Sequence, residues 1–196
     1  MRQRILHAAR SAFAAHGLRA TSVRGIATRA DVTAAMINYY FGSKRALYDE
    51  VVSEAQAALQ ARVARAMGGA TAADLPSRLA GAYFDFLAEE HDFQRLILRE
   101  VLDSGEGISG YVERYVAPLS ALVSARFGDD EATVQAAISL FGAIAGYFLY
   151  APVLAELLDS DPTSRDRLAQ RRRHVMALAE LLAEQARETP TMEGSK

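Results

Sequence analysis

The run from residue 132 to residue 155, ATVQAAISLFGAIAGYFLYAPVLA, limits the folds open to this chain more than any other segment, because it holds no charged residue over twenty-four positions. Its length and composition would suit a membrane-spanning helix, but a helix that is apolar on every side is also typical of a protein core. Polar residues and Pro152 interrupt the run, acidic residues flank it on both sides, and no neighbouring cation would set its orientation in a membrane. We therefore expect a core helix of a soluble protein and no membrane span.

A chain of 196 residues has few other helices with which to surround this segment, so a second subunit is the economical way to cover it. Gly142 and Gly146 form a GxxxG pattern, which permits two helices to approach closely. The last long helical pattern, residues 162–187, carries apolar residues at helical spacing and is a plausible partner. The residues expected at this homodimer interface are Gly142, Gly146, Val175, Leu178 and Leu182.

Three consecutive arginines, residues 171–173, lie within this last helical pattern. They could form a second patch for nucleic acid, although short basic runs are motifs of low specificity. They could equally be solvated or be paired with acids of the body. The sequence leaves both interpretations open.

Helical periodicity continues along the rest of the chain, and no segment alternates as a half-buried strand would. The spacing predicts an all-α protein of about nine helices, over residues 2–16, 23–30, 34–41, 43–67, 72–90, 92–103, 106–127, 130–158 and 162–187. The final residues, 189–196, are expected to form a flexible tail.

Two short helices lie close together within the first fifty residues. Only residues 31–33 separate them, and capping residues mark the helix starts, with Thr21 or Ser22 before the first, Thr33 before the second and Ser43 before the long helix that follows. A helix-turn-helix has this arrangement, and a general helical hairpin is the alternative.

Charge is distributed unevenly along the chain. Residues 1–50 carry eight Lys/Arg and three Asp/Glu, a net +5, whereas the remainder carries fourteen and twenty-one, a net −7, so that the whole chain totals −2. A basic head on an acidic body suggests that the head binds an anionic partner. Uneven surface charge without a function is the simpler interpretation.

The second short helix is expected to face DNA. Ile37 and Phe41 lie four residues apart and should face the core, with Tyr40 half-buried, while the other side chains point mostly away. Small residues at the start of the helix would let its backbone approach a base edge. The candidate DNA-binding residues are Ser22, Arg24, Thr33, Ala34, Ala35, Asn38, Tyr39, Tyr40 and Lys44.

These candidates differ in the contacts that their chemistry allows. Asn38 can bind an adenine edge, and Tyr39 can bind a phosphate or contact a thymine methyl group. Lys44, at the start of the long helix, is placed to bind a phosphate, as are Ser22 and Arg24 from the other side. The DNA-facing helix has no Arg or Lys, so bidentate guanine recognition from within it is not expected.

Residues 21–51, TSVRGIATRADVTAAMINYYFGSKRALYDEV, resemble the helix-turn-helix of TetR-family transcriptional repressors. The shared positions are Ile26-Ala27, Ala30, Val32-Thr33, Tyr39-Tyr40-Phe41, Ser43-Lys44 and Leu47. Asp31 stands where a glycine is usual, and Asp also tolerates turn conformations. Asn38 stands where a tyrosine is usual, which alters the expected base preference. Residues 93–105, FQRLILREVLDSG, resemble the subgroup that includes the cephalosporin/chloramphenicol-sensitivity regulator of enteric bacteria.

The resemblance implies a dimeric one-component switch. Residues 1–48 would form a helix-turn-helix DNA-binding domain, and residues 49–188 a ligand-binding and dimerisation domain whose last two helices form a four-helix interface. The implied function is a repressor that binds double-stranded operator DNA as a homodimer and is released by a small apolar or amphipathic effector.

An apolar pocket would fit the aromatic content of the body. Arg99, within the apolar segment LILREVL, could bind an anionic or polar ligand, or could instead form a structural ion pair. The candidate ligand-binding residues are Phe84, Arg99, Tyr115, Phe141 and Phe148.

Other function classes find little support in the sequence. The chain has no cysteine, which excludes disulfides and thiolate chemistry and suits the cytoplasm, and its first residues lack the pattern of a signal peptide. The four histidines are scattered, and no H-E-x-x-H motif is present. We therefore expect neither an enzyme nor a metal or cofactor site. The alternative function is a helical dimeric binding protein, or a membrane-associated protein without a DNA function.

Overall fold

The computed structural model describes residues 1–103, 112–113 and 117–188. Ten α helices account for most of these residues and no strand occurs among them, which confirms the predicted all-α class. The helices are α1 (Arg2–Ala20), α2 (Val23–Ala30), α3 (Ala34–Phe41), α4 (Lys44–Met67), α5 (Leu75–Glu89), α6 (His91–Asp103), α7 (Ala117–Phe127), α8 (Glu131–Leu149), α9 (Ala151–Leu158) and α10 (Arg165–Glu188).

The helices group into two compact units. The first unit comprises Met1–Ala58 and Glu90–Gly110, and the second comprises Leu59–Glu89 and Tyr111–Lys196. These units describe packing, so the predicted functional division at residue 48 stays a prediction. The predicted tail, residues 189–196, lies outside the described residues.

The first unit has one apolar core between its helices. α1 packs on both α2 and α6, and α2 packs on α3. Phe13 of α1 meets Tyr48 of α4 edge to face, with 5.1 Å between ring centroids. Burying each large side chain fully stabilises the fold by about 1.5–3 kcal/mol. Fully buried side chains of this core are Ile5, Leu6, Phe13, Ile26, Ile37, Leu47 and Leu96.

Side-chain caps fix the short helices of the first unit as predicted. Ser22 Oγ accepts a hydrogen bond from the Gly25 amide at 3.0 Å, and Thr33 Oγ1 accepts one from the Met36 amide at 3.3 Å. Ser43 Oγ accepts one from the Ala46 amide at 3.0 Å, at the start of α4. Each cap satisfies an amide that the helix itself leaves unpaired.

The second unit is built around the contact between α5 and α10, with α8 packed on both helices. Gly81 allows a close approach, because a Cβ atom there would lie 3.1 Å from Arg172 Nη2. Beside it, Arg172 donates two hydrogen bonds to the Asp85 carboxylate, at 2.8 and 3.0 Å, and this pairing raises the pKa of Arg172. Val175 and Ala179 of α10 are buried.

The first predicted helix, residues 2–16, continues to Ala20, and the helix predicted over residues 106–127 is described from Ala117. The bounds also differ at two places over residues 130–187. The pattern over residues 130–158 predicts one helix, but the chain forms α8 and α9, which meet at Tyr150 (φ −92°, ψ 10°) just before Pro152. A proline has no amide hydrogen to donate and its ring clashes with the preceding turn, so a helix restarts there rather than continuing. α10 begins at Arg165 rather than near residue 162, because Asp161 Oδ1 accepts hydrogen bonds from the amide and hydroxyl of Thr163 and closes a turn first.

Candidate nucleic-acid interface

The exposed face of α3 carries the side chains that the sequence assigns to DNA. Ala35, Asn38 and Tyr39 are exposed, with Tyr39 85% accessible, while Ala34 is half-buried. Ile37, on the opposite side, is fully buried and holds α3 on the core. α3 therefore presents small and uncharged polar side chains outward from a fixed position.

The three consecutive aromatic residues of α3 form a chain of ring contacts. Tyr39 and Tyr40 meet edge to face at 5.3 Å, and Tyr40 and Phe41 lie 6.3 Å apart. Tyr40 is exposed, at 40%, so it is more accessible than its predicted half-buried position. Phe41 is only half-buried, so its predicted place in the core is wrong: it covers the edge of the core, and the guanidinium of Arg2 lies 5.3 Å from its ring centroid.

The N-termini of α2 and α3 lie close in sequence to the exposed residues of α3. Ser22 caps α2 and Thr33 caps α3, and both residues are exposed. Arg24 is exposed in the first turn of α2, and its guanidinium has no hydrogen bond or ion pair within the described part of the chain. A free guanidinium beside unpaired helix-start amides is chemistry that binds phosphate.

Lys44 has a structural role that the sequence analysis missed. Its ammonium donates hydrogen bonds to the backbone carbonyls of Thr21 at 2.9 Å and Arg19 at 3.3 Å, so it ties the start of α4 to the end of α1. A lysine ammonium has three donors, and one therefore remains for a phosphate. Nothing in the local sequence indicates this role, because the two carbonyls lie 23 and 25 residues away.

The turn between α2 and α3 is held from α1. Asp31 adopts a left-handed conformation (φ 52°, ψ 55°), which explains why a glycine is usual in the family that the sequence resembles. Arg4 donates a hydrogen bond to the Asp31 carbonyl at 2.8 Å, and its guanidinium lies 3.6 Å from the carboxylate. Arg4 therefore helps to fix the angle between α2 and α3, although it escaped notice in the sequence.

The predicted ligand-binding residues fall into two groups. Phe84 is buried and lies 5.1 Å from Phe148, which is half-buried, so these two share one aromatic cluster. Phe141 is 59% exposed and stacks on Tyr83 at 5.8 Å instead. Tyr115 and the side chain of Arg99 lie outside the described residues.

The residues predicted at the dimer interface also fall into two groups. Gly142 and Gly146 face open space, because a Cβ atom on either would meet nothing within 4 Å, and Leu178 and Leu182 are half-buried. Val175 is fully buried inside the second unit, so its side chain has no surface to offer a partner and its assignment to the interface is wrong. Within the apolar stripe on α10, Val175 and Ala179 therefore face their own chain.

Large apolar side chains are instead exposed along α8, α9 and the end of α10. Ile138 and Phe141 of α8 are 58% and 59% exposed, and Leu157 of α9 is 76% exposed. By length and composition α8 could cross a membrane, and only 11% of its apolar window is buried. The other exposed apolar side chains of this surface are Val134, Tyr150, Val153, Leu158 and Leu181.

The three consecutive arginines do not act as one patch. Arg172 pairs with Asp85, and Arg171 donates a hydrogen bond to the Ala143 carbonyl at 2.7 Å. Of the three, only Arg173 is exposed. Two of the three cations are therefore used inside the second unit, which favours the interpretation of body contacts over a second nucleic-acid patch.

Known proteins share both the N-terminal sequence and the fold. Residues 5–51 match the family model of bacterial regulatory proteins of the tetR family. The probable HTH-type transcriptional regulator YttP of Bacillus subtilis (strain 168) is 32% identical over 127 residues, which cover 60% of this chain and 61% of that protein. The aligned region thus spans about three fifths of the curated relative.

Solved structures extend the likeness to nearly the whole chain. SCO4942 from Streptomyces coelicolor, described as a transcriptional regulator, superposes with a TM-score of 0.65 at 26% identity, covering 92% of this chain and 97% of its own. A TetR-like transcriptional regulator from Rhodococcus sp. RHA1 has a TM-score of 0.68 at 19% identity, covering 90% of this chain and 92% of its own, and shows the shared fold. The chain is therefore similar to TetR-family regulators in two respects: residues 5–51 match the tetR family model, and the fold matches that of a TetR-like transcriptional regulator.

Proposed function

We propose that this protein is a ligand-responsive transcriptional repressor in the cytoplasm, which binds operator DNA as a homodimer and is released by a small apolar or amphipathic effector. The observation that carries the proposal is the exposed face of α3, with Tyr39 at 85% exposure beside Asn38. A large exposed aromatic side chain on a rigid helix contributes little to the fold, and it is suited to contact with another molecule.

In this proposal α3 enters the major groove. Asn38 reads an adenine edge, and the ring of Tyr39 contacts a thymine methyl group while its hydroxyl binds phosphate. The exposed face of α3 has no charged side chain, so phosphate contacts come from its neighbours. Ser22, Arg24 and the start of α4 supply them, and their sum makes binding weaken as salt rises.

The homodimer would bury the exposed apolar surface of α8, α9 and α10. Large apolar side chains exposed in such number on a soluble protein favour a protein partner. Open space at Gly142 and Gly146 would admit a partner helix closely. In such a dimer the two α3 helices could enter successive major grooves, which lie about 34 Å apart.

Effector binding would act through α4, which begins in the first unit and ends in the second. A ligand shifts an equilibrium only by its difference in affinity for the two states. The effector must therefore favour a dimer in which the two α3 helices no longer match successive grooves.

The test is fluorescence anisotropy with DNA that flanks the gene of this protein, at two salt concentrations. Tyr39→Ala should weaken binding by about 5- to 150-fold, as expected for loss of about 1–3 kcal/mol of base contact. Arg24→Ala should weaken binding to all sequences alike and reduce the slope of log affinity against log salt by about one. Arg173→Ala, another exposed arginine but on α10, is the matched control and should change neither quantity.

Tyr39→Phe separates the two proposed contacts of this side chain, because it keeps the ring and removes the hydroxyl. Circular dichroism would establish that each variant is folded. Equal binding of operator and unrelated DNA by the wild-type protein, in a genome-fragment selection as well, would contradict the DNA function.

The dimer is tested separately by sedimentation. Ile138→Glu should produce monomers, because it places a charge within the exposed apolar surface, whereas Ala61→Glu adds the same charge at an exposed position of α4, outside that surface, and should leave the dimer intact. A membrane-associated protein would instead need detergent to leave the membrane fraction.

A further inference from the structure

Arg171 of α10 holds a buried hydrogen-bond donor that has no acceptor. Its Nε atom is inaccessible to solvent, and it is the one buried side-chain nitrogen or oxygen atom among the described residues that lacks a partner. Buried polar groups are paired in the great majority of native structures, and an exception needs an explanation.

The charge of Arg171 is also uncompensated. No carboxylate lies within ion-pair distance of it in the described residues, in contrast to the neighbouring Arg172, which pairs with Asp85. Among the described residues, the one hydrogen bond of the Arg171 side chain goes from Nη2 to the neutral carbonyl of Ala143. A half-buried cation without a counter-ion is costly, because burial removes part of its hydration.

The surroundings of Arg171 are aromatic. Its guanidinium carbon lies 5.2 Å from the ring centroid of Tyr147, and that ring lies 5.7 Å from Phe148 and 6.5 Å from Phe84. Tyr147 donates a hydrogen bond to the Pro162 carbonyl at 2.6 Å, which fixes the ring under the cation. Phe84 closes the inner side of the cluster, whereas Tyr147 and Phe148 are partly accessible.

The nearby charges favour an anion. Arg167, one turn before Arg171 on α10, adds a second positive charge near Tyr147. Asp161 adds a negative charge that acts on the same phenol. The Asp161 carboxylate already accepts two hydrogen bonds from Thr163, so its charge is partly used.

We infer that Arg171 anchors the carboxylate of an amphipathic effector, whose apolar part lies against the accessible faces of Tyr147 and Phe148. This inference rests on the proposed function, since it names the chemical class of the effector. A carboxylate would give the guanidinium its missing counter-ion and accept from its free donors, a pairing to which the planar fork of arginine is suited. The aromatic faces would take the apolar part of the ligand.

The experiment compares each acid with a neutral ligand of the same shape, by calorimetry and without DNA. The probes are decanoate with 1-decanol, and 4-phenylbutyrate with 4-phenyl-1-butanol. We expect the better acid to bind the wild-type protein at least tenfold more tightly than its alcohol, since hydrogen bonds to charged groups contribute about 1.5–3 kcal/mol.

Two arginine variants test the assignment of the anchor. Arg171→Gln should remove the preference for acid over alcohol, and Arg171→Lys, which keeps the charge and loses the fork, should keep part of it. Arg173→Gln is the matched control on the exposed side of α10 and should bind as the wild type does. The melting temperature without ligand would show that each variant is folded.

Equal affinity for acid and alcohol in the wild type, or an unchanged preference in a folded Arg171→Gln variant, would overturn the inference. It would also be overturned if Arg171→Gln dissociated the dimer without affecting ligand preference, because the counter-ion would then belong to a second subunit. These results are independent of operator binding. A protein that prefers acids but binds no DNA would retain the carboxylate site and lose the proposed repressor function.

Discussion

Two aromatic clusters, one in each unit, have similar distances between their rings and opposite surroundings. On α3, Tyr39 and Tyr40 meet at 5.3 Å, and Tyr39 is 85% exposed. In the second unit, Phe84 and Phe148 meet at 5.1 Å, and Phe84 is 1% exposed. Ring contacts alone therefore do not show how accessible a cluster is. The two clusters differ in how much apolar surface each removes from water.

The largest difference between the clusters should appear on truncation. Phe84→Ala should lower the free energy of unfolding by about 3–5 kcal/mol, because it leaves a cavity in a closed core. Tyr39→Ala should change it by less than about 0.5 kcal/mol, since an exposed side chain loses few contacts. Urea denaturation of the two variants measures both. Similar losses would contradict the assignment of Tyr39 to binding rather than folding.

The α3 cluster can be exposed only because other groups hold its helix in place, and Lys44 is among them. Lys44→Ala should destabilise the protein by about 1–2 kcal/mol, because the carbonyls of Arg19 and Thr21 lose a charged donor. Arg45→Ala removes the neighbouring cation, which forms an i,i+4 pair with Asp49, and is the matched control, expected to cost below about 1 kcal/mol. Equal losses would mean that Lys44 contributes no more than a surface charge.

The two regions also differ in how far the sequence predicted them. The helix-turn-helix follows from local chemistry, since Ser22, Thr33 and Ser43 each cap a helix within three residues. Helix class and caps were therefore predicted correctly. Periodicity also predicted the buried side of α3 at Ile37. The proposed DNA contacts themselves depend on a partner and stay predictions.

Contacts across long sequence distances escaped prediction. Lys44 reaches carbonyls more than twenty residues away, and Arg4 reaches Asp31 across 27 residues. On α10, periodicity found an apolar stripe but could not tell whether Val175 faced its own chain or a partner, because both would require the same residue types. The sequence pattern indicates which side of a helix is apolar, whereas the tertiary structure determines which residues cover that side.

The turn at Asp31 offers a smaller test of how firmly the α3 cluster is presented. Asp31→Val should destabilise the protein by about 1–2 kcal/mol, since a branched side chain is strained at a φ of 52°. Asp31→Gly should lie within about 0.5 kcal/mol of the wild type, because relief of strain offsets the added entropy of the unfolded chain. Thermal unfolding compares the pair. A valine variant as stable as the glycine variant would show that the turn can change its conformation freely.

The smallest effect concerns the ring beneath Arg171. Burial raises the pKa of Tyr147 above its ordinary value of 10.0, while the positive charges of Arg171 and Arg167 act against the shift. The folded state thus holds this proton more tightly than the unfolded state does. The corresponding stability is fully present below pH 10 and is lost as the pH rises through the folded pKa, because the unfolded chain releases the proton first. Tyr147→Phe removes the titrating phenol, so the free energy of unfolding of this variant should fall less as the pH rises above 10.

Arg171→Gln sharpens the comparison, because it deletes the charge that favours the ionised phenol and should raise the pKa of Tyr147 further. Ultraviolet titration of tyrosinate, with Tyr147→Phe to identify the contribution of this residue, measures the change. A pKa that falls in Arg171→Gln would mean that the ring has become accessible to water. Arg171 would then protect the aromatic cluster of the second unit from water. In that case the low exposure of this cluster, and so its difference from the exposed cluster of α3, would depend on one arginine.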